Sequence, residues 1–327
     1  MAKSMKKPIL WASVIGSVAG SAILIKDYCG GKRFDDPVIV ENKIAIITGA
    51  NTGIGKETAR ELAKRKARVI MACRDMSRCE KTREEIVLET KNKFVYCRLC
   101  DLASQESIRK FVDEFKREND NLHILINNAG VMRCPQSKTK EGIEMQLGVN
   151  HMGHFLLTNL LLDMLKKSAP SRIINLSSIA HMRATINKDD LNYDINYDGS
   201  KAYSQSKLAN ILFTTELARR LQGTGVTVNA VHPGLVETEI TRHMSFFNSY
   251  LSGIILKPLI WMFIKNPRQG AQTSIYAALD PSLDNVTGKY FSNCAESRTS
   301  SIAQDDSLAK WLWAVSEKWT KLEKEHK

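Results

Sequence analysis

The sequence has little cysteine, seven residues in 327, scattered at positions 29, 73, 79, 97, 100, 134 and 294. An odd and sparse set of this kind argues against a disulfide framework, and reduced thiols are expected. Low-complexity tracts are missing too, and with 43% hydrophobic and 25% charged residues the chain falls outside the disordered and collagen-like classes. Although the formal net charge is +12, no basic stripe with interleaved aromatics accompanies it, so no nucleic acid is expected as a partner. Metal-ligand spacing is lacking as well. Cys97 and Cys100 form a C-x-x-C, but an offset of three on a strand puts the sulfurs on opposite faces, and no second pair follows. No metal is expected, and His151, His154 and His181 read as structural. The sequons at Asn175 and Asn285 carry no weight, the first falling in a core strand and the second requiring a lumenal location.

What is present begins with one uncharged apolar run of 18 residues, Pro8 to Ile25. At about 1.5 Å per helical residue it just matches a bilayer core of about 30 Å. It reads as a membrane anchor; a cleaved signal peptide fits less well because Lys26-Asp27-Tyr28 is a poor cleavage site, and a buried core helix is the remaining alternative. Lys3, Lys6, Lys7, Lys26, Lys32 and Arg33 outnumber Asp27 beside it, which suits an anionic lipid surface. Lysines at both ends leave its orientation open. The expected organisation is an anchor over 1–26, a linker over 27–41, one domain over 42–295 and a helical tail over 296–327. In that tail Leu308, Trp311, Leu312, Val315, Trp319 and Leu322 recur at helical spacing, as in a docking helix.

From Lys43 onward apolar runs alternate with amphipathic stretches. Strands are predicted at Ile44–Ile47, Val69–Ala72, Val95–Cys100, Ile124–Ile126, Arg172–Leu176 and Val226–Val231, with helices between them. Regular alternation implies an α/β fold: one Rossmann-like, doubly wound parallel sheet with helices on both faces, plus the N-terminal membrane helix. The turn Thr48 to Gly55, closing the first strand and opening a helix, has the spacing G-x-x-x-G-x-G. Its glycines allow a sharp turn and close approach of the backbone to a pyrophosphate, with free N–H groups at the helix start. Gly49, Asn51, Thr52, Gly53, Ile54 and Gly55 are therefore candidate cofactor residues.

Farther along, Tyr203 and Lys207 stand four apart in a stretch without proline or glycine from Lys201 to Gln222, so a helix puts both on one face. Tyrosine ordinarily loses its proton near pH 10, and a neighbouring ammonium lowers that value, as proton exchange with an alkoxide requires.

Thr48 to Gly55, Asn127-Asn128-Ala129-Gly130 and Tyr203-Ser204-Gln205-Ser206-Lys207 together resemble the short-chain dehydrogenase/reductase family over about residues 42 to 295. Ala72-Cys73-Arg74-Asp75, Ile126 to Met132, Val149-Asn150-His151, Gln222 to Val226 and Val231-His232-Pro233-Gly234 are similar to its retinol dehydrogenase branch. Val18-Ala19-Gly20 and Lys26-Asp27-Tyr28 resemble the type 13 group of that branch, a group associated with mitochondrial membrane.

The resemblance implies a catalytic set of Asn150, Ser178, Tyr203 and Lys207, with Ser178, rather than its neighbour Ser177, hydrogen-bonding the substrate oxygen. It also implies an adenine pocket at Asp101 and Leu102, where a helix N-cap is the plain alternative for Asp101. Asn128, Ala129 and Gly130 would border the cofactor, and Pro233, Gly234, Val236 and Thr238 would hold the nicotinamide side. The second strand ends in Cys73-Arg74, and Arg can pair with a ribose 2′-phosphate where an acidic residue would repel it. NADP(H) is thus expected over NAD(H), with Lys56 as a helper and Asp75 as a mild counter-signal. The apolar stretch Phe246 to Ile264, within a lid over about 240–266, is broken at Lys257-Pro258; it suits an apolar substrate such as a retinoid or lipid aldehyde. The expected activity is hydride transfer between NADP(H) and an apolar aldehyde or alcohol, retinal and retinol first. A steroid or fatty-aldehyde reductase and an idle NADP-binding scaffold are the alternatives. The expected setting is the mitochondrial inner membrane or the endoplasmic reticulum, with a homodimer left open.

Overall fold

The computed structural model describes residues 16–17, 20–21, 23–237 and 264–322. Eight strands form one sheet: β1 (Ile44–Thr48), β2 (Arg68–Cys73), β3 (Val95–Leu99), β4 (Ile124–Asn127), β5 (Ser171–Leu176), β6 (Val226–His232), β7 (Tyr290–Ser292) and β8 (Ala295–Glu296). Their order is β3-β2-β1-β4-β5-β6-β7-β8. All neighbours pair in parallel except β7 and β8. The chain leaves β1 in one direction and returns to β4 on its other side, so a crevice opens at the carboxyl ends of these two strands. The doubly wound sheet agrees with the sequence pattern. The short pair β7 and β8 had no counterpart in it, because two or three residues are too few for a periodicity to register.

Alternate residues of each strand face opposite layers. Ile46, Ile70, Leu125, Ile173 and Val228 pack with α3 (Gln105–Glu118), α4 (Gly153–Lys167) and α5 (Gly199–Arg220). Ala45, Ile47, Val69, Met71, Ile126 and Ile174 pack with α1 (Gly53–Lys64), α2 (Met76–Thr90) and α6 (Pro267–Leu279). The final helix, α7 (Asp306–Thr320), lies across α4 and α5, with the Trp313 ring 4.9 Å from Phe155 and 5.9 Å from Phe213.

The expectation of reduced thiols fails at one pair. Cys79 on α2 and Cys97 on β3 are joined by a disulfide across a Cα separation of 6.0 Å. The cause is the packing of α2 over β3, invisible in a spacing of 18 residues. Cys97 and Cys100 do face opposite layers. Among the described residues no helix is long and apolar enough to cross a membrane. Most of the expected anchor lies outside them. At its described end Ile23, Leu24 and Ile25 are exposed, which removes the buried-helix alternative there. The expected linker is no free tether. Phe34 is buried, its N–H donates to Gln272 Oε1 at 2.9 Å, and the Arg65 guanidinium covers its ring while donating to the carbonyls of Asp36 and Val38.

Candidate active site

The crevice is lined first by backbone. Gly49 follows β1 with φ +64°, and a Cβ there would stand 3.0 Å from Ala129. At Gly55 a Cβ would fall 2.4 Å from the Gly49 carbonyl and 2.5 Å from Asn128 Nδ2, so the first turn of α1 packs against the β1 turn only as glycine. Thr52 is the N-cap of α1 but makes no side-chain cap, and the first turn carries no acidic residue. Open N–H groups and the positive end of the helix dipole fit an anionic pyrophosphate. Asn128 ties the far wall to this turn, its Nδ2 donating to the Thr48 carbonyl at 2.8 Å. The N–H groups of Asn128 and Ala129 both donate to Thr48 Oγ1 at 2.9 Å.

At the end of β2, Arg74 is exposed, and the Asp75 carboxylate is turned into its own helix, accepting from the Arg78 N–H at 3.0 Å as the N-cap of α2. The cap turns the carboxylate toward its own helix but leaves its charge, so Asp75 stays a mild counter-signal. Lys56 is paired with Glu85 at 2.5 Å rather than poised as a helper. The Asp101 carboxylate accepts from the Ala103 N–H at 3.0 Å, whereas the cap of α3 is Ser104. Leu102 is buried beneath it.

On the other side of the crevice four side chains from three stretches of the chain come together. Lys207 lies with its Nζ 5.7 Å from the centre of the Tyr203 ring, the one-face arrangement that α5 dictates. The Nζ donates to the Leu176 carbonyl at 3.1 Å. Tyr203 is hydrogen-bonded to Ser178. Ser177 points elsewhere, donating to the Lys207 carbonyl at 2.7 Å, so the geometry separates the two serines. Asn150 sits in a widened π-type turn, Gly148–Met152. Its amide is fully engaged, accepting from the Val131 N–H at 2.8 Å and donating to the Val131 carbonyl and Ser206 Oγ at 2.9 Å each.

The electrostatics depart from the simple picture of an ammonium acidifying a phenol. Burial pushes the Tyr203 phenol above its ordinary value, with the Ser178 hydrogen bond and the charge of Arg133 pulling the other way. Burial also brings Lys207 down to about 8. Desolvation therefore dominates at both groups, leaving a neutral phenol beside a lysine that is still mostly cationic at pH 7. Such a phenol is a proton donor, and Ser178 is a second hydrogen-bonding group for the same oxygen.

Past β6, Pro233 and Gly234 enter the crevice rim, Gly234 with φ +90°, and Val236 bridges to Lys265. Thr238 and most of the expected lid lie outside the described residues. Sequence reading missed Thr48 as a site residue, though it opens the very turn singled out, and it passed over His154, which hydrogen-bonds Thr48 at 2.9 Å. Among the described residues no three His, Cys, Asp or Glu side chains cluster as for a metal ion.

The model of the short chain dehydrogenase family matches residues 43–246. The human protein named retinol dehydrogenase 13 is 51% identical over 320 residues, covering 98% of this chain and 97% of its own. The crystal structure of an uncharacterized protein from Mycobacterium paratuberculosis superposes with a TM-score of 0.71 at 36% identity, over 89% of this chain and 98% of that one. The Pseudomonas aeruginosa RhlG/NADP active-site complex, 24% identical with a TM-score of 0.62 over 81% and 98% of the two chains, shares the fold.

Proposed function

Because the chain belongs to the short chain dehydrogenase family and is an oxidoreductase, we propose that it interconverts an apolar aldehyde and its alcohol, retinal and retinol first, with NADP(H). The observation that carries this reading is the convergence of Ser178, Tyr203, Lys207 and Asn150 on one wall of a crevice whose other wall is a glycine-built anion cradle. The cradle fits a dinucleotide, which when bound supplies or accepts the hydride. Gly49 to Gly55 hold its pyrophosphate, Asp101 and Leu102 its adenine, Asn128 to Gly130 and Lys207 its ribose side, and Pro233, Gly234, Val236 and Thr238 its nicotinamide side. Arg74 pairs with the 2′-phosphate that distinguishes NADP from NAD.

In reduction Tyr203 donates its proton to the carbonyl oxygen while Ser178 hydrogen-bonds the same atom. Lys207, cationic at pH 7, stabilises the phenolate left behind, and oxidation reverses the path. The apolar substrate class draws support from the mouth. Ile179 and Met182 follow Ser178, Leu235 follows Gly234, and all three are exposed, at 53%, 42% and 67%. An apolar substrate would cover them. Attachment to a membrane, mitochondrial inner or endoplasmic reticulum, rests on the Pro8–Ile25 run and on the resemblance carried by Val18-Ala19-Gly20 and Lys26-Asp27-Tyr28. Detergent-solubilised protein should consume NADPH with a panel of retinal, steroid and aliphatic aldehydes, fastest with retinal. Steroid preference would reassign the substrate, and turnover of none would leave an NADP-binding scaffold.

A further inference from the structure

The three histidines that sequence spacing leaves as structural are not equivalent. His154 is 2% exposed, on the first turn of α4, with its ring between the end of β1 and the widened turn that carries Asn150. Its Nδ1 is 3.0 Å from the main-chain oxygen of Asn150, and its Nε2 is 2.9 Å from Thr48 Oγ1. A carbonyl oxygen only accepts, so Nδ1 carries the proton. Burial brings the imidazole down to about 3 against the opposing pull of the hydrogen bond to the Asn150 carbonyl, so the ring is neutral and Nε2 accepts. The Thr48 hydroxyl must then donate to Nε2, which leaves its lone pairs for the N–H groups of Asn128 and Ala129. Two residues on, both backbone groups of Val131 are held by the Asn150 amide. The hydrogen bonds thus close a ring: Thr48, the 128–131 segment, the Asn150 side chain, the Asn150 carbonyl, His154, and Thr48 again.

We propose that His154 is a positioning residue: by donating from Nδ1 to the Asn150 carbonyl, it holds Asn150 and the 128–131 wall in register with Lys207. Slack at this point is small. A Cβ on Gly130 would lie 3.2 Å from Asn150 Oδ1 and 3.6 Å from Lys207 Nζ, so a slip of the wall changes the spacing of these two groups directly. Misplacement of about an ångström can cost on the order of 100-fold in rate. The inference rests on the hydride-transfer reading of the site, and its first test does not depend on turnover. In protein carrying 15N in its histidine rings, two-bond nitrogen–proton correlations should show His154 as the neutral Nδ1–H tautomer at pH 7. An Nε2–H tautomer would overturn the proposal whatever the enzyme acts on, whereas absence of turnover in the unaltered protein would count against the functional reading alone.

The second test compares two amides. In His154→Asn the shorter side chain places a donor near the former Nδ1; His154→Gln reaches toward Thr48 and loses that donor. Expected is a kcat lower by about tenfold or more for His154→Gln, and recovery of most of kcat in His154→Asn. Equal losses in both variants, or none in the Gln variant, would reject the positioning role. Should the Gln variant fail to fold, the tautomer measurement on the unaltered chain still decides.

Discussion

The two walls of the crevice are built by different means. The cofactor wall is backbone: one turn of eight residues, Thr48 to Gly55, in which missing side chains make the room. The opposite wall is side chains from three separate elements, Asn150, Ser178, and the α5 pair Tyr203 and Lys207, held by hydrogen bonds in a desolvated setting that moves both Tyr203 and Lys207 from their ordinary titration range. One wall binds through shape and helix dipole, which need only local conformation. The other reacts through charge and proton position, which need burial. Damage to the two walls should therefore separate into binding and turnover.

The largest separation is expected from Tyr203→Phe, which removes the proton donor and leaves the cradle intact. Turnover should fall by about 10²–10⁴-fold with NADPH fluorescence binding nearly unchanged; substantial retained activity would reject Tyr203 as the acid. Acid should next reveal the cost of the buried wall. Burial brings His151 and His232 down to about 4 and His154 to about 3, so all three are neutral in the fold. The unfolded chain takes up protons first as pH falls through about 6.5, so stability is lost on going down from there. Urea denaturation should register a loss of about 2 kcal/mol per histidine between pH 7 and pH 5. A flat profile would mean that these rings are not buried neutral.

Gly55→Val tests the opposite wall. Its new atoms meet the Gly49 carbonyl and Asn128, and overpacking of this kind costs about 1–3 kcal/mol. Cofactor affinity should weaken together with thermal stability; tight NADPH binding in this variant would show that the turn does not need its close contact. The smallest effect is expected from Arg74→Ala, about a tenfold loss of NADPH affinity with NADH affinity unchanged, the size of one charge-assisted hydrogen bond at an exposed site. Unchanged discrimination in isothermal titration would remove Arg74 as the 2′-phosphate partner.

How much of this was legible in the chain follows the same division. Strands β1 to β6, the glycine turn and the Tyr203–Lys207 face are carried by residues close in sequence, where period and spacing are themselves the geometry. The choice of Ser178 over Ser177 came from the resemblance and not from the local pattern, because two adjacent serines past the end of β5 look alike in sequence, and it is α5 that takes up Ser177 through the Lys207 carbonyl. The Cys79–Cys97 disulfide was missed for the same reason, its helix and strand meeting only in the folded layer. The role of Asp75 as the cap of α2 was likewise not read from the sequence, where it stood only as a charge beside Arg74.

By itself the sequence determined the doubly wound plan, the anion cradle and the residue types able to pass a proton, since these depend on steric freedom, hydrophobic period and intrinsic acidity. Tertiary structure alone decided the titration of Tyr203 and Lys207, the proton's place on His154 and the partner of each buried hydroxyl. Those depend on the removal of water and on contacts between residues as far apart as Thr48 and His154, and neither is a property of any short stretch of chain.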